Sequence, residues 1–317
     1  MYFQRYKYLC FLLLFLFAAV TSVHARQQEA VSLKLNLKKG DRYYMPSVNE
    51  LTMTMDMMGM SMDMSSNTTF GFEFYVEDVD ENQITTMDVT FKDIAFKADV
   101  AGAPGAAQSI TYDSKKQATP IDPAAKAFSA MVGKSYKMKI ASNGRIEEVQ
   151  GLKEILSSVT SLVDAGSAVS FEGLIDEKSI QQSMSLMFDI YPEKPVRIWD
   201  AWTKKDSIAM GVFNLEVTST YTLQARSEGI STIEVSSAIK MKPGAAFPGA
   251  DVMDVTVNMN GTQKGTLFIS EDSGWIKQGT ITQNVSGYIE MVNPATNETI
   301  SMPISVISKT SYTSEKK

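Results

Sequence analysis

The chain has 317 residues with 30 basic and 36 acidic side chains, a formal net charge of −6, one cysteine and one histidine. Both of the latter fall within the first 25 residues, where Arg5 and Lys7 precede an apolar run from Leu9 to Val20 and Val23-His24-Ala25 closes the segment, the pattern of a cleavable export signal. Cutting after Ala25 leaves 292 residues with a net charge of −8 and neither Cys nor His. This excludes disulfides, Cys/His zinc sites and His-based catalytic units, and the lack of clustered Lys and Arg argues against a nucleic-acid partner.

The apolar run of about 12 residues is short of the roughly 20 that a spanning helix needs. Cys10 stands near its start and not at the cleavage point, so it is removed with the signal and not lipidated. The expectation is a periplasmic or secreted protein that is not a lipoprotein and has no transmembrane segment after signal cleavage.

After the signal, Val31, Leu33, Leu35 and Leu37 alternate with Ser32, Lys34, Asn36 and Lys38, which predicts a strand with one wet face. Pro46 limits the pairing of the next segment. Met53, Met55 and Met57 then lie at odd positions and Met60, Met62 and Met64 at even ones, with the switch beside Gly59. A hairpin about Met58-Gly59 sets Met57 opposite Met60, Met55 opposite Met62 and Met53 opposite Met64, all on one face. The second strand keeps that parity through Phe70, Phe72, Phe74 and Val76. A strand over 60–77 is on the order of 60 Å long, so it must bend, coil or break at Gly71.

Asp78 to Asn82 reads as a turn, Met87, Val89 and Phe91 as a further strand, and 101–107 as a Gly/Ala-rich loop. Asp122-Pro123 opens a helix that includes Phe128, Met131 and Val132. Tyr136, Met138 and Ile140 lead through Asn143-Gly144 to Ile146, a strong hairpin signal. Leu152, Ile155, Leu156, Val159, Leu162 and Val163 follow helical spacing, and a further helix over 176–188 buries Ile180, Met184, Met187 and Phe188 before Pro192 and Pro195. From Phe213 onward period-two alternation returns through strands ending near Val306, an antiparallel meander.

Gly40-Asp41-Arg42-Tyr43 is echoed by Trp199-Asp200-Ala201-Trp202, and Asn143-Gly144-Arg145-Ile146 by Ser273-Gly274-Trp275-Ile276. The mature chain, 26–317, is expected as one β-rich domain, with two halves at about 26–150 and 190–317 joined by the helical stretch 151–189 as the alternative. The fold class is mainly β (α+β): a large curved antiparallel sheet or half-barrel with two or three helices on its apolar face.

Four segments together resemble a family of exported proteins of Bacteroidetes type known only as a domain of unknown function. They are Leu37-Lys38-Lys39-Gly40-Asp41 with Tyr43; Gly133-Lys134-Ser135-Tyr136 with Met138; Gly144-Arg145-Ile146 with Val149 and Gly151; and Pro192-Glu193-Lys194-Pro195-Val196 with Asp200 and Trp202. Trp199 stands where such sequences carry Gly. The resemblance implies location and fold style and brings no catalytic residues.

Motifs of specific chemistry are weak. Gly133-Lys134-Ser135 lacks the first glycine of a phosphate loop, since Phe128 occupies that position, and Asp78 to Asn82 lacks the turn glycine and closing Glu of a calcium loop. Trp199 and Trp202 flank Asp200 in a way that suits sugar stacking or, more plainly, an anchor between helices and meander. The methionines are open to three readings: core packing, the lining of an apolar ligand site, and Cu(I) ligation by thioethers at Met55, Met60 and Met62. The leading expectation is a non-enzymatic binding protein without a cofactor, taking a lipid-like or other apolar molecule on Met53, Met55, Met57, Met60, Met62, Met64, Phe70, Phe72 and Phe74. The alternatives are a Cu(I)-handling protein and a structural envelope component with a protein partner.

Overall fold

In a computed structural model of the protein, the structure describes residues 29–57, 60–102, 108–116, 123–160, 177–210, 213–242, 254–292 and 298–317. The signal segment, the hairpin loop at 58–59, most of the Gly/Ala-rich loop, Asp122, and Leu162 and Val163 lie outside them. The strands are β1 (Arg42–Met57), β2 (Met60–Val79), β3 (Thr85–Ala101), β4 (Gln108–Asp113), β5 (Ser135–Ile140), β6 (Ile146–Gln150), β7 (Ala201–Met210), β8 (Phe213–Ser227), β9 (Ile230–Met241), β10 (Asp254–Ser270), β11 (Ile276–Val292), β12 (Thr299–Thr313) and β13 (Glu315–Lys316). The helices are α1 (Pro123–Met131), α2 (Leu152–Thr160) and α3 (Glu177–Phe188).

All thirteen strands form one antiparallel sheet in the order β6-β5-β3-β2-β1-β12-β11-β10-β9-β8-β7, with β4 beside β3 and β13 beside β1. The sheet is open, with edges at β6 and β7, and α3 packs against both edge strands. One helix thus touches both edges of the sheet, which is open and consistent with a curved sheet or half-barrel. β1 changes neighbour from β13 to β12 across Met45-Pro46, where the missing proline donor interrupts no ladder. β2 runs unbroken along β1, but its register against β3 slips at Gly71/Phe72 and again at Val76/Asp78. The long strand therefore coils by bulges and does not break. Asp93 fills the space over Gly71, accepts a hydrogen bond from Tyr44 at 2.7 Å and pairs with Lys115 at 3.1 Å.

The order also reads as two five-strand meanders laid down in the same direction, β6 to β1 and β11 to β7, with β12 between them. Their entry turns match bond for bond. Lys38 N donates to Asp41 Oδ2 at 3.1 Å and Arg197 N to Asp200 Oδ2 at 2.8 Å. Gly40 N donates to Val76 O at 2.9 Å and Trp199 N to Leu223 O at 2.7 Å. Trp199 occupies at φ 74 the left-handed position that Gly40 holds at φ 90, and its side chain is 71% exposed. The anchor role therefore belongs to Trp202 alone, which stacks on Tyr221 at 5.8 Å and donates from Nε1 to Ile190 O at 2.8 Å.

The alternation over Val31 to Leu37 does bury those four residues, but the segment joins no ladder beyond a bridge from Val31 to Val196. Instead it crosses the floor of the half-barrel. Leu35 N donates to Ser142 O and Asn36 N to Ser273 O, so it ties the β5–β6 turn to the β10–β11 turn. Both turns use a glycine at positive φ, Gly144 and Gly274, where a Cβ would run into the carbonyl oxygens of Phe188 and Lys34 respectively. The Asp78–Asn82 stretch is a side-chain-stabilised turn in which Asp80 Oδ1 accepts from the backbone of Asn82 and Ile84, both at 2.8 Å.

Above this floor a core of apolar side chains is sealed between the sheet and the helices. It includes Phe74, Met87, Met138, Met131, Leu156, Met184, Phe188 and Trp275. Ile180 and Met187 pack against it half-buried, and Val132 follows the end of α1. At its margin Arg226 grips Glu271 with two bonds of 2.8 Å, and Ser231 donates a third at 2.7 Å. The Arg226 hydrogen bond holds the Glu271 carboxyl below its ordinary 4.5, against the opposing effect of burial and with help from Ser231. A carboxyl depressed on folding stabilises above its unfolded value and loses that contribution as pH falls through the folded one. Thermal melts of Glu271→Gln and wild type should therefore differ most near neutrality, and the gap should close as pH falls through and below the ordinary carboxylate range.

Candidate ligand-binding face

Residues directly opposite in antiparallel strands point to the same side, so the register alone defines the inner face. Along one row Leu223, Ile233, Leu267, Tyr312 and Phe70 belong to the sealed core or its edge. Four residues further along each strand, two inward-facing positions up, Ser219, Ser237, Gln263, Gln283 and Ser308 form a polar row across five strands. These side chains bond one another. Ser237 donates to Ser219 at 2.9 Å, Gln283 to Gln263 at 2.7 Å, and Asn49 on β1 to Ser308 at 2.8 Å and Thr310 at 2.9 Å. Mutual satisfaction is what permits Ser219, Ser237 and Ser308 to be buried.

Beyond the polar row the inner face turns apolar again. A second cluster comprises Leu215, Val217, Ile239, Met259, Val285 and Ile304, with Met53, Met241, Val257 and Val306 packed against it. Every member is a strand residue, so none of the described helices contributes to it. Methionines recur on strand after strand: Met53 and Met55 on β1, Met60, Met62 and Met64 on β2, Met241 on β9, Met259 on β10, Met291 on β11 and Met302 on β12. The hairpin register is the one predicted, with Met57 opposite Met60, Met55 opposite Met62 and Met53 opposite Met64. Met60 is 49% exposed, and Met53, Met55, Met62 and Met64 are half-buried. The side chain of Met57 lies outside the described residues.

The sequence-derived set therefore divides. Phe72 and Phe74 are sealed in the lower core against Phe91, Phe188 and Trp275, and Phe70 lies at its margin against Phe128 of α1. On β2 the inward-facing Ser66 and Thr68 separate them from the methionines. In their place the register adds Met241, Met259, Met291, Met302, Val306 and Ile304, none of which pattern alone assigned to the site. Gly261, Gly265, Gly279 and Gly287 also fall on this concave side of β10 and β11, where neighbouring strands leave no room for a Cβ.

The outer face of the same strands carries Thr52, Asp63, Glu216, Lys240, Asn260, Asn284 and Lys309. A groove of about 570 Å³ is lined by Gln224, Thr232, Glu234, Lys264, Thr266, Thr280 and Thr282 from that side, together with Val235 and Gly265. Apolar inside and polar outside is the reverse of a barrel embedded in a bilayer. No helix among the described residues is long and apolar enough to cross a membrane, and no group of three or more His, Cys, Asp or Glu among them gathers as a metal site.

One pair of charges interrupts the inner face, at the β7 edge. Lys204 and Asp206 point inward, opposite Ser219 and Val217. Lys204 reaches across the seam to Asp189, just past the end of α3, at 2.6 Å.

Comparison with solved structures gives a likeness to lipovitellin, in a structure titled "Lipid-protein interactions in lipovitellin", with a TM-score of 0.50 at 9% identity over 88% of this chain. The chain spans about a quarter of the lipovitellin chain it matches, 25%. A channel from Pseudomonas putida F1, titled as the COG4313 outer membrane channel, aligns at 8% identity over 89% of this chain and 97% of its own, with a TM-score of 0.26. The lipovitellin likeness speaks to fold alone, and the channel's score is too low to carry an argument. No curated protein matches the chain. A family model described as "Family of unknown function (DUF6263)" matches residues 82–276, from the β2–β3 turn through all three helices to the first residue of β11. That stretch is more than half of the chain, which therefore belongs to the DUF6263 family.

Proposed function

We propose that the protein is a non-enzymatic, exported binding protein, periplasmic or secreted and of Bacteroidetes type, that holds a lipid-like or other apolar molecule against the inner face above the polar row. The observation that carries this is the recurrence of methionine on six strands of one otherwise uncharged inner wall, around a second apolar cluster that is built from strands alone among the described residues. Thioether chains are flexible and polarisable, so such a wall adapts to ligands of different shape. From the polar row to the strand ends β10 and β11 rise about 30 Å, whereas one acyl chain is about half of a 30 Å bilayer core. The likeness to lipovitellin, a protein described through its lipid interactions, supports lipid against a sheet of this kind. Methionines spread over six strands suit a lining better than one Cu(I) centre at Met55, Met60 and Met62.

Native mass spectrometry of protein purified from its source envelope, followed by titration with the neutral probe N-phenyl-1-naphthylamine, tests the proposal. The expected result is a co-purifying apolar species and saturable probe binding after its removal. A consistently ligand-free protein that binds no probe overturns it.

A further inference from the structure

From the polar row to the rim, Lys204 and Asp206 are the two ionisable side chains that point to the inner face among the described residues of β1–β3 and β7–β12. Lys204 is neutralised by Asp189. Asp206 is half-buried on the edge strand opposite Val217 and has no hydrogen-bond or ion-pair partner among the described residues. Its surroundings are Lys204 on its own strand, Asp189 just past α3, and Val217 and the Tyr221 hydroxyl on β8. Two carboxylates and one ammonium leave a local charge of −1 beside an apolar wall, where water cannot screen it fully.

Resting on the apolar-ligand reading, we infer that the ligand is an amphiphile with a cationic, ammonium-type head that pairs with Asp206 while its tail lies along the methionine wall. Burial pushes the Asp206 carboxyl up, and Asp189 adds to this against the pull of Lys204, so the carboxylate gains from a counter-ion. With strands about 4.8 Å apart, an acyl chain of roughly 15 Å that starts at β7 passes Val217 and Ile239 and ends at Gly261 on β10, one inward position from Met259. A free fatty acid would bring a third carboxylate to the same place.

Displacement of bound N-phenyl-1-naphthylamine by dodecylammonium and by dodecanoate, each kept below micelle formation, decides the matter. Wild type should bind the ammonium at least about tenfold more tightly, Asp206→Asn should bring the two within about threefold, and Asp206→Lys should favour the carboxylate. Both variants sit at a half-buried position on an edge strand, and retained probe binding reports that the wall is intact. Equal affinities in wild type, or a preference that survives Asp206→Asn, overturn the head-group assignment and leave the apolar site standing. Failure of wild type to bind the probe overturns both.

Discussion

Trp275→Ala is expected to remove about 3–5 kcal/mol of stability, the largest loss from any single side chain here. Trp275 is fully buried, stacks on Tyr43 with ring centroids 4.3 Å apart, meets Phe74 edge-on at 5.2 Å and lies 5.6 Å from Phe188. Those partners come from β1, β2 and α3, so one ring joins the first meander, the second meander and the seam helix. Truncation leaves a cavity that none of these rigid rings can fill by small shifts. The indole Nε1 finds no acceptor among the described residues, so Trp275→Phe gives back the cost of a buried unpaired donor and should lose much less. Urea denaturation of the two variants measures the difference. A loss below about 1 kcal/mol for Trp275→Ala would show that the cluster does not join the halves.

Val306→Asp should abolish binding of the neutral probe, while Ile307→Asp should leave it unchanged. The two residues are neighbours on β12 but on opposite faces. Val306 is half-buried between Met53 and Val285, and Ile307 is 50% exposed on the outer side. An ionised carboxylate on the wall must be desolvated when an apolar ligand covers it, which lowers affinity by at least about tenfold. On the outer face the same group stays in water. Circular dichroism and thermal melts establish that both variants fold, and fluorescence titration reads the binding. Equal loss in both would place the probe elsewhere, and no loss in either would remove the wall as the site.

Much of the scaffold was legible in the sequence because its strands alternate strictly. The Met53 to Met64 hairpin could be registered residue by residue, since a turn about Met58-Gly59 sets the pairing and the parity switch there puts all six methionines on one face. The helices over 123–131, 152–160 and 177–188 followed from caps, prolines and 3.6-residue spacing. Alternation reports one-sided burial, however, and not the hydrogen-bond partner. Val31 to Leu37 shows the pattern fully, yet its backbone bonds go to turns and not to a ladder. The parity that linked Met64 to Phe70, Phe72 and Phe74 was correct in direction but silent about depth. Two of those three rings lie under helices whose docking no local pattern encodes. The polar row escaped for a related reason. Ser219 sits between Val217 and Tyr221, and Ser237 between Val235 and Ile239, each a lone gap in an apolar series. Only the register of β8 through β12 turns such gaps into a continuous line, and the same register gathers Met241, Met259, Met291 and Met302 from strands that hold one each on this wall. β1 meets β12 across most of the chain length, a pairing that no neighbouring stretch announces.

The hydrogen-bonded row of serines and glutamines also has a mechanical consequence. It divides one sheet into a base whose side chains interlock and a rim whose side chains touch mainly their neighbours, although long strands such as β2 run through both. The rim is packed by aliphatic and thioether chains, which adapt their shape more readily than the stacked rings of the base. Packing against helices and packing between strands alone are thus assigned to different residues of the same strands, and under the proposed function a guest would meet only the second kind.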